Sequence, residues 1–210
     1  PVADQTVSTT TTDNDAAGFT IVESGGSTSV SEAGTTDTFT IVLTAQPTSD
    51  VFISMTSSDT SEATVTNSIS FTPANWNSAQ TVTVTGVDDN IIDSTITSTI
   101  TVEIVDVVSD SNFHSVENQT VSATTTDDDT AGFTVVESGG TTGVAEAGTT
   151  DTFTVVLDAQ PASDVVLTIT SSDTGEATVN SPLTFTAGNW DTAQTVTVTG
   201  IDENIIDGNQ

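Results

Sequence analysis

Apolar and polar residues alternate with a period of two along most of the chain. In the segment DTFTIVL (37–43), for example, Phe39, Ile41 and Leu43 occupy alternate positions. Such a period places successive side chains on opposite faces of a β-strand. The same alternation occurs at 51–57, 68–72, 81–86, 99–105 and 119–125. No window shows a comparable helical period, so the pattern predicts an all-β protein.

Turn residues separate these runs. Gly25-Gly26, Ala33-Gly34 and Gln46-Pro47 punctuate the runs, as expected of residues that favour turns. Seven or eight short strands with this spacing indicate an antiparallel β-sandwich of the immunoglobulin-like type.

The chain contains an internal repeat. GFTIVESGG at 18–26 recurs as GFTVVESGG at 132–140, and alignment of 1–96 with 115–210 gives 64 identities in 96 pairs without an insertion. The repeat therefore has a period of 114 residues, the size of one domain. We expect tandem sandwich modules: residues 1–15 as the C-terminal strand of a preceding repeat, 16–129 as a complete module, and 130–210 as a second module incomplete at its C-terminus.

Large aromatic residues recur with the repeat. Trp76 and Trp190 each follow Asn shortly before a strand. We interpret them as plugs that close one end of a core, the alternative being an exposed platform for a glycan. The phenylalanines of both repeats are expected in the cores: Phe19, Phe39, Phe71, Phe133, Phe153 and Phe185.

The net charge of the chain restricts the classes of partner that it can bind. There are 30 Asp and Glu residues, one His and no Lys or Arg, which gives a net charge of −30. This balance excludes nucleic acid, whose phosphates are bound by basic side chains, and no apolar run is long enough for membrane insertion. Divalent cations are the natural partners of so many carboxylates. A Ca²⁺-rich exterior suits this composition, so we expect an extracellular or cell-surface protein.

Two groups of acidic residues stand out. Asp88, Asp89 and Asp93 follow the strand TVTVTG, and Asp127–Asp129 precede the next repeat. The two segments can meet at one pole of a sandwich, where Glu32 could also reach. A bound cation would offset their repulsion, whereas the alternative is a solvated acidic linker. The spacing does not match an EF-hand loop.

Three segments in this order resemble the Calx-β domain, a Ca²⁺-binding sandwich of sodium–calcium exchangers and of very large bacterial surface proteins. They are VSEAGTTDTFTIVL (30–43), TVTVTGVDDNIID (81–93) and TTTDDDTAGF (124–133). The chain is most similar to the Thr/Asp-rich repeats of giant bacterial adhesins and matrix proteins.

The resemblance implies a set of Ca²⁺ ligands. In the first module they are Glu32, Asp88, Asp89, Asp93, Asp127, Asp128 and Asp129; in the second they are Glu146, Asp202, Glu203 and Asp207; and Asp13 and Asp15 would serve a preceding module. The family's DGTA…DY segment is not recognisable in SSDTSEATV (57–65), where Asp59 is a poor substitute. We therefore expect one or two ions at each junction.

These patterns lead to one expected function and two alternatives. The expected function is that of a Ca²⁺-binding structural repeat in a surface adhesin or matrix protein, in which Ca²⁺ makes the junctions between neighbouring repeats rigid. The alternatives are a filament subunit joined by β-strand complementation and a module that binds cell-surface or matrix glycans. His114 is the single histidine, and no catalytic constellation surrounds it in the sequence, so we do not expect an enzyme.

Overall fold

The computed structural model describes residues 1–204 and shows an all-β chain built of immunoglobulin-like antiparallel sandwich modules in tandem. The chain divides into two compact units. Unit 1 comprises residues 1–88 and 95–126, and unit 2 comprises residues 89–94 and 127–210. Residues 89–94, which follow a strand of unit 1 in the sequence, thus belong to the second compact body.

Unit 1 is a two-sheet sandwich. One sheet has the strand order β1-β3-β7-β5 and the other has the order β2-β9-β8-β4-β6. All neighbours are antiparallel except β2 and β9, which are parallel. The strands are β1 (Phe19–Glu23), β2 (Thr28–Ser31), β3 (Thr36–Leu43), β4 (Val51–Ser57), β5 (Ala63–Val65), β6 (Ser68–Phe71), β7 (Gln80–Gly86), β8 (Ile96–Ile104) and β9 (Gln119–Thr126). Short 3-10 turns lie at Ser24–Gly26, Asp106–Val108 and Ser111–Phe113.

The core of unit 1 follows the period of two. Phe39, Ile41 and Leu43 of β3 are all buried, whereas the residues between them are half-buried. The predicted strands and their inward faces are thereby confirmed. Trp76 is half-buried and packs against this core, and its carbonyl accepts a hydrogen bond from the Leu43 N–H. Its position supports the role of a plug.

Unit 2 repeats the first sheet and only part of the second. One sheet has the strand order β10-β11-β15-β13, and β12 pairs with β14 in a second, two-stranded sheet. The strands are β10 (Phe133–Glu137), β11 (Thr150–Leu157), β12 (Val165–Leu167), β13 (Ala177–Val179), β14 (Leu183–Phe185) and β15 (Gln194–Gly200), with a 3-10 turn at Ser138–Gly140. The buried cluster of unit 2 comprises Val155, Leu157, Leu183, Phe185 and Val196.

The expectation that these six phenylalanines lie in the cores is wrong for Phe133. Phe19 of unit 1 is 4 % exposed, whereas its repeat counterpart Phe133 is 55 % exposed. In unit 1, the Gln119 side chain donates to the Phe19 carbonyl, so the start of β9 lies over the start of β1. Within the described residues of unit 2, no segment takes the corresponding place, and this difference accounts for the exposure.

The N-terminal segment carries the sequence of a strand without forming one. Residues 5–12 (QTVSTTTT) match β9 (QTVSATTT) at all but one position, yet residues 1–18 lie in no strand. A strand needs neighbours to pair with, and β9 already occupies the place between β2 and β8 in unit 1. In residues 1–204 there is also no helix with the length and apolar character needed to span a bilayer.

Candidate metal centre

Two buried glutamates lie together in unit 1. Glu32 is 1 % exposed and Glu62 is 4 % exposed, and a carboxylate oxygen of one lies within 4.8 Å of a carboxylate oxygen of the other. Two carboxylates at this distance repel when both are ionised, and burial strengthens the repulsion. Because the chain has no Lys or Arg, a bound cation is a natural way to offset this repulsion.

Glu32 is held by the end of β2. Its N–H donates to the carbonyl of Thr126 at 3.1 Å, which continues the parallel pairing of β2 with β9. On the other side, Gly86 at the end of β7 lies so close that a Cβ added there would be 2.0 Å from the Ser31 carbonyl oxygen. Only glycine permits this approach, and the contact fixes the backbone immediately before Glu32.

Glu62 is held through its own main chain. It immediately precedes β5, and its carbonyl accepts from the Val87 N–H at 2.9 Å and from the Thr125 hydroxyl at 3.3 Å. These two bonds link the ends of β7 and β9 to the residue before β5. The Glu62 side chain is thereby directed to the same end of the sandwich as Glu32.

The sequence reasoning missed Glu62. It considered only Asp59 in SSDTSEATV, and that carboxylate instead accepts from the N–H and hydroxyl of Ser61 in an exposed turn. A usable signal was present, because Glu176 occupies the same place in SSDTGEATV of the second repeat. The structure repeats the arrangement as well, since the Glu176 carbonyl accepts from the Ile201 N–H at 2.8 Å.

A second acidic pair belongs to unit 2. Carboxylate oxygens of Asp89 and Asp93 lie within 4.8 Å of one another, and the Ile91 N–H donates to Asp89 at 2.7 Å. The segment is anchored to the body of unit 2 by the Gln160 N–H, which donates to the Asn90 carbonyl at 2.7 Å. The loop that carries these aspartates therefore has a fixed backbone.

Asp127 organises the rest of the acidic segment in unit 2. Its Oδ2 accepts from the N–H groups of Asp93 and Ser94, each at 3.0 Å, and its Oδ1 accepts from the Asp129 N–H at 2.8 Å. These bonds, that from Ser94 above all, hold the pKa of Asp127 below its ordinary value. Carboxylate oxygens of Asp127 and Asp129 lie within 4.8 Å of one another. Asp127 thus stays ionised and keeps lone pairs for a cation.

The chemistry of these groups fits a hard divalent cation. Every side-chain donor is a carboxylate oxygen, and no thiol exists in the chain. Ca²⁺ takes about six to eight oxygen ligands in flexible geometry, whereas Zn²⁺ favours nitrogen and sulfur ligands in a tetrahedron. The donor set therefore fits Ca²⁺ and does not fit a zinc site.

The remaining predicted ligands lie outside these groups. Asp88, Asp128, Asp202, Asp13 and Asp15 are exposed, Glu146 and Glu203 are half-buried, and Asp207 lies outside the described residues. Asp13 accepts a hydrogen bond from the Asp15 N–H at 3.0 Å. Within residues 1–204, the acidic groups that could hold a metal comprise only Glu32, Glu62, Asp89, Asp93, Asp127 and Asp129.

Comparison with known proteins gives distant structural similarity. No family model matches the chain, and no curated protein matches it. Among solved structures, it is similar to the apo form of the Calx CBD1 domain at 13 % identity, covering 53 % of this chain and 98 % of that one, with a TM-score of 0.38. It is also similar to CBD12 from CALX1.2, at 13 % identity over 89 % of this chain and 76 % of that one, with a TM-score of 0.38.

A further similarity is to domains 5–6 of the S-layer protein SbsC. The identity is 19 %, the match covers 87 % of this chain and 83 % of that one, and the TM-score is 0.33. At such values similarity does not transfer function.

Proposed function

We propose that this chain is a Ca²⁺-binding structural module of a large extracellular surface or matrix protein. The observation that carries the proposal is the buried pair of Glu32 and Glu62, whose carboxylate oxygens lie within 4.8 Å in a chain without Lys or Arg. Two buried carboxylates this close repel when both are ionised, and a metal ion that joins them would remove that repulsion. Ca²⁺ is abundant outside cells, and it matches the donor set.

We assign Ca²⁺ positions to the acidic groups of each unit. Glu32 and Glu62 would hold a cation in unit 1, and Asp89 and Asp93, with Asp127 and Asp129, would hold cations in unit 2. Bound Ca²⁺ would neutralise the carboxylates, while Asp127 holds the backbone of Asp93 and Ser94 through its own hydrogen bonds. The segments 89–94 and 127–129 lie where one repeat passes into the next in the sequence, so cation binding there would make the junction between repeats rigid.

Calcium titration calorimetry on the metal-free 210-residue chain tests this assignment. We expect saturable binding of one or two Ca²⁺ ions, at least tenfold weaker binding for Glu62→Gln, and unchanged binding for Glu117→Gln. Glu117 is exposed, so its variant loses the same charge without touching the proposed site. If Glu62→Gln and Glu117→Gln bind Ca²⁺ alike, the ligand assignment is wrong.

A further inference from the structure

The outer surface of one sheet in unit 1 carries no charged side chain. In the sheet β1-β3-β7-β5, the outward positions hold only threonine and valine, as at Thr38 of β3 and Thr83 of β7. The two acidic residues of these strands, Glu23 and Asp37, stand in the alternate set of positions, with Phe39 and the rest of the core. We call the outward surface of these four strands the threonine face.

The threonines of this face lie directly opposite one another across the two central strands. The pairs are Thr36–Thr85, Thr38–Thr83 and Thr40–Thr81. The Thr40 hydroxyl donates to the carbonyl of Val22, and the Thr64 hydroxyl donates to the carbonyl of Thr85, each at 3.4 Å. Val22 itself is 62 % exposed. Because these hydroxyls bind main chain, the face offers methyl groups as well as polar groups to a partner.

Unit 2 carries the same face on the sheet β10-β11-β15-β13. Its central pairs are Thr150–Thr199, Thr152–Thr197 and Thr154–Thr195. Every outward position of these four strands has the same residue as its counterpart 114 positions earlier, although one aligned position in three differs between the repeats as a whole. A chain with 30 acidic residues thus keeps this surface free of charge in both units.

The second sheet of unit 1 differs in this respect. On the outer side of β8, Glu103 is exposed and accepts a hydrogen bond from the Ser54 hydroxyl of β4 at 3.2 Å. Threonines also occur there, at Thr99 and Thr101. This sheet therefore provides matched positions for control substitutions.

The charge of the chain determines which partner suits the threonine face. A charged surface docked on it would lose water without gaining an opposite charge, which is unfavourable. The matching surface is therefore also uncharged, and the same face on another copy has this character. At turns and strand ends, where the acidic residues lie, two copies would instead bring like charges together, because the chain has no Lys or Arg.

We propose that the threonine face is a contact surface between copies of this chain. Two such faces would pack as the sheets of a sandwich do, about 10 Å apart, with methyl groups in contact and free hydroxyls hydrogen-bonded across the interface. Four strands give a face about 15 Å wide and about 20 Å long. This is smaller than a standard interface, so the contact is weak and reversible. It does not depend on calcium binding.

Thiol trapping detects a weak contact of this kind. The chain has no cysteine, so Thr83→Cys places a single thiol near the centre of the face in unit 1. Thr101→Cys is the matched control, since Thr101 is equally half-buried on the outer side of the other sheet. In EDTA, with dissolved oxygen as oxidant, disulfide-linked dimers should form at least about tenfold faster for Thr83→Cys, because the contact raises the effective concentration of its thiols. Equal rates would overturn the proposal.

Sedimentation equilibrium of the 210-residue chain in EDTA provides the second test. The average mass should rise between about 0.1 M and about 1 M NaCl, since salt screens the repulsion between copies. Thr83→Glu combined with Thr197→Glu adds a charge to the face of each unit and should keep the chain monomeric. Thr99→Glu combined with Thr101→Glu adds the same charge to the other sheet and should associate like the wild type.

Circular dichroism shows whether each variant keeps its fold. A wild-type chain that stays monomeric at every salt concentration would overturn the proposal. So would association that persists in the Thr83→Glu and Thr197→Glu variant, since the copies would then meet at another surface.

Discussion

Asp110 illustrates how single acidic residues stabilise a chain that has no basic side chains. Its carboxylate is buried and accepts from the Asn112 N–H at 3.0 Å, from the Thr48 hydroxyl at 2.7 Å, and from the N–H groups of Ser49 and Thr48. These bonds, that from Asn112 first, hold the pKa of Asp110 far below its ordinary value despite burial. The hydrogen bonds thus replace the salt bridges that the sequence cannot form.

We predict that Asp110→Asn lowers the stability of unit 1 by about 2–4 kcal/mol at neutral pH, because it removes a buried charged acceptor. The folded pKa is lower than the unfolded one, so the contribution is complete above about pH 4, the unfolded value, and declines as the pH falls towards the folded pKa. The gap in melting temperature between wild type and Asp110→Asn, followed by circular dichroism, should therefore narrow in acid.

The control for this experiment is Asp106→Asn. Asp106 is exposed in the preceding 3-10 turn, so its variant should melt close to the wild type at every pH. A gap for Asp110→Asn that stays constant between neutral pH and pH 3 would refute the role of its charge.

The burial of Glu62 is not evident from the alternation of apolar and polar residues, although its recurrence as Glu176 is visible in the sequence. Its burial comes from main-chain bonds to Val87 and Thr125, which lie 25 and 63 residues further along the chain. Glu32, Asp89, Asp93, Asp127 and Asp129 were predicted as ligands from their places beside recognisable strands and motifs, and the structure places each of them in an acidic group. Asp88 and Asp128 are sequence neighbours of these residues, yet both are exposed. The backbone conformation alone determines which of the adjacent acidic side chains is directed inward.

At the scale of elements, the end of β7 determines the geometry around Glu32. We predict that Gly86→Ala destabilises unit 1 by about 2–4 kcal/mol, because the new methyl group would overlap the Ser31 carbonyl oxygen, 2.0 Å from the Cβ position. Hydrogen exchange of the β3 and β7 amides would report the loss. Since the backbone before Glu32 must move, Ca²⁺ affinity should decrease as well.

Gly143→Ala serves as the comparison, because an added Cβ at Gly143 meets no atom within 4 Å. It should change stability by about 1 kcal/mol or less. Equal effects of the two substitutions would show that the close approach of β7 to Ser31 has no energetic importance.

The strands themselves were the most predictable elements. Alternation sufficed for β3, β4, β7, β8 and β9, because each has one face in the core and one in solvent. Alternation failed for Phe133, because the sequence GFT is identical in both repeats. The two sites differ in that the start of β9 lies over Phe19 in unit 1. It also could not show that residues 89–94 belong to unit 2, because that assignment depends on contacts with residues distant in the sequence, of which the Gln160–Asn90 hydrogen bond is one.

At the scale of the whole molecule, the net charge of −30 opposes every compact state through self-repulsion. Added salt screens this repulsion over the whole surface and does not require a binding site. Ca²⁺ at the proposed positions would instead remove the repulsion locally, where the carboxylates are buried. The two effects can be separated, because only the second saturates and depends on the identity of the cation.

Whether Ca²⁺ stabilises the fold is decided by the melting temperature of the chain in Ca²⁺ and in EDTA, at matched ionic strength set with NaCl. A ligand at 100 times its Kd stabilises a protein by about 2.7 kcal/mol, which corresponds to a rise of about 10 °C or more for a domain of this size. We predict such a rise in Ca²⁺, its loss in EDTA, and its reduction in Glu62→Gln. Superimposable melting curves in Ca²⁺ and EDTA would contradict the account.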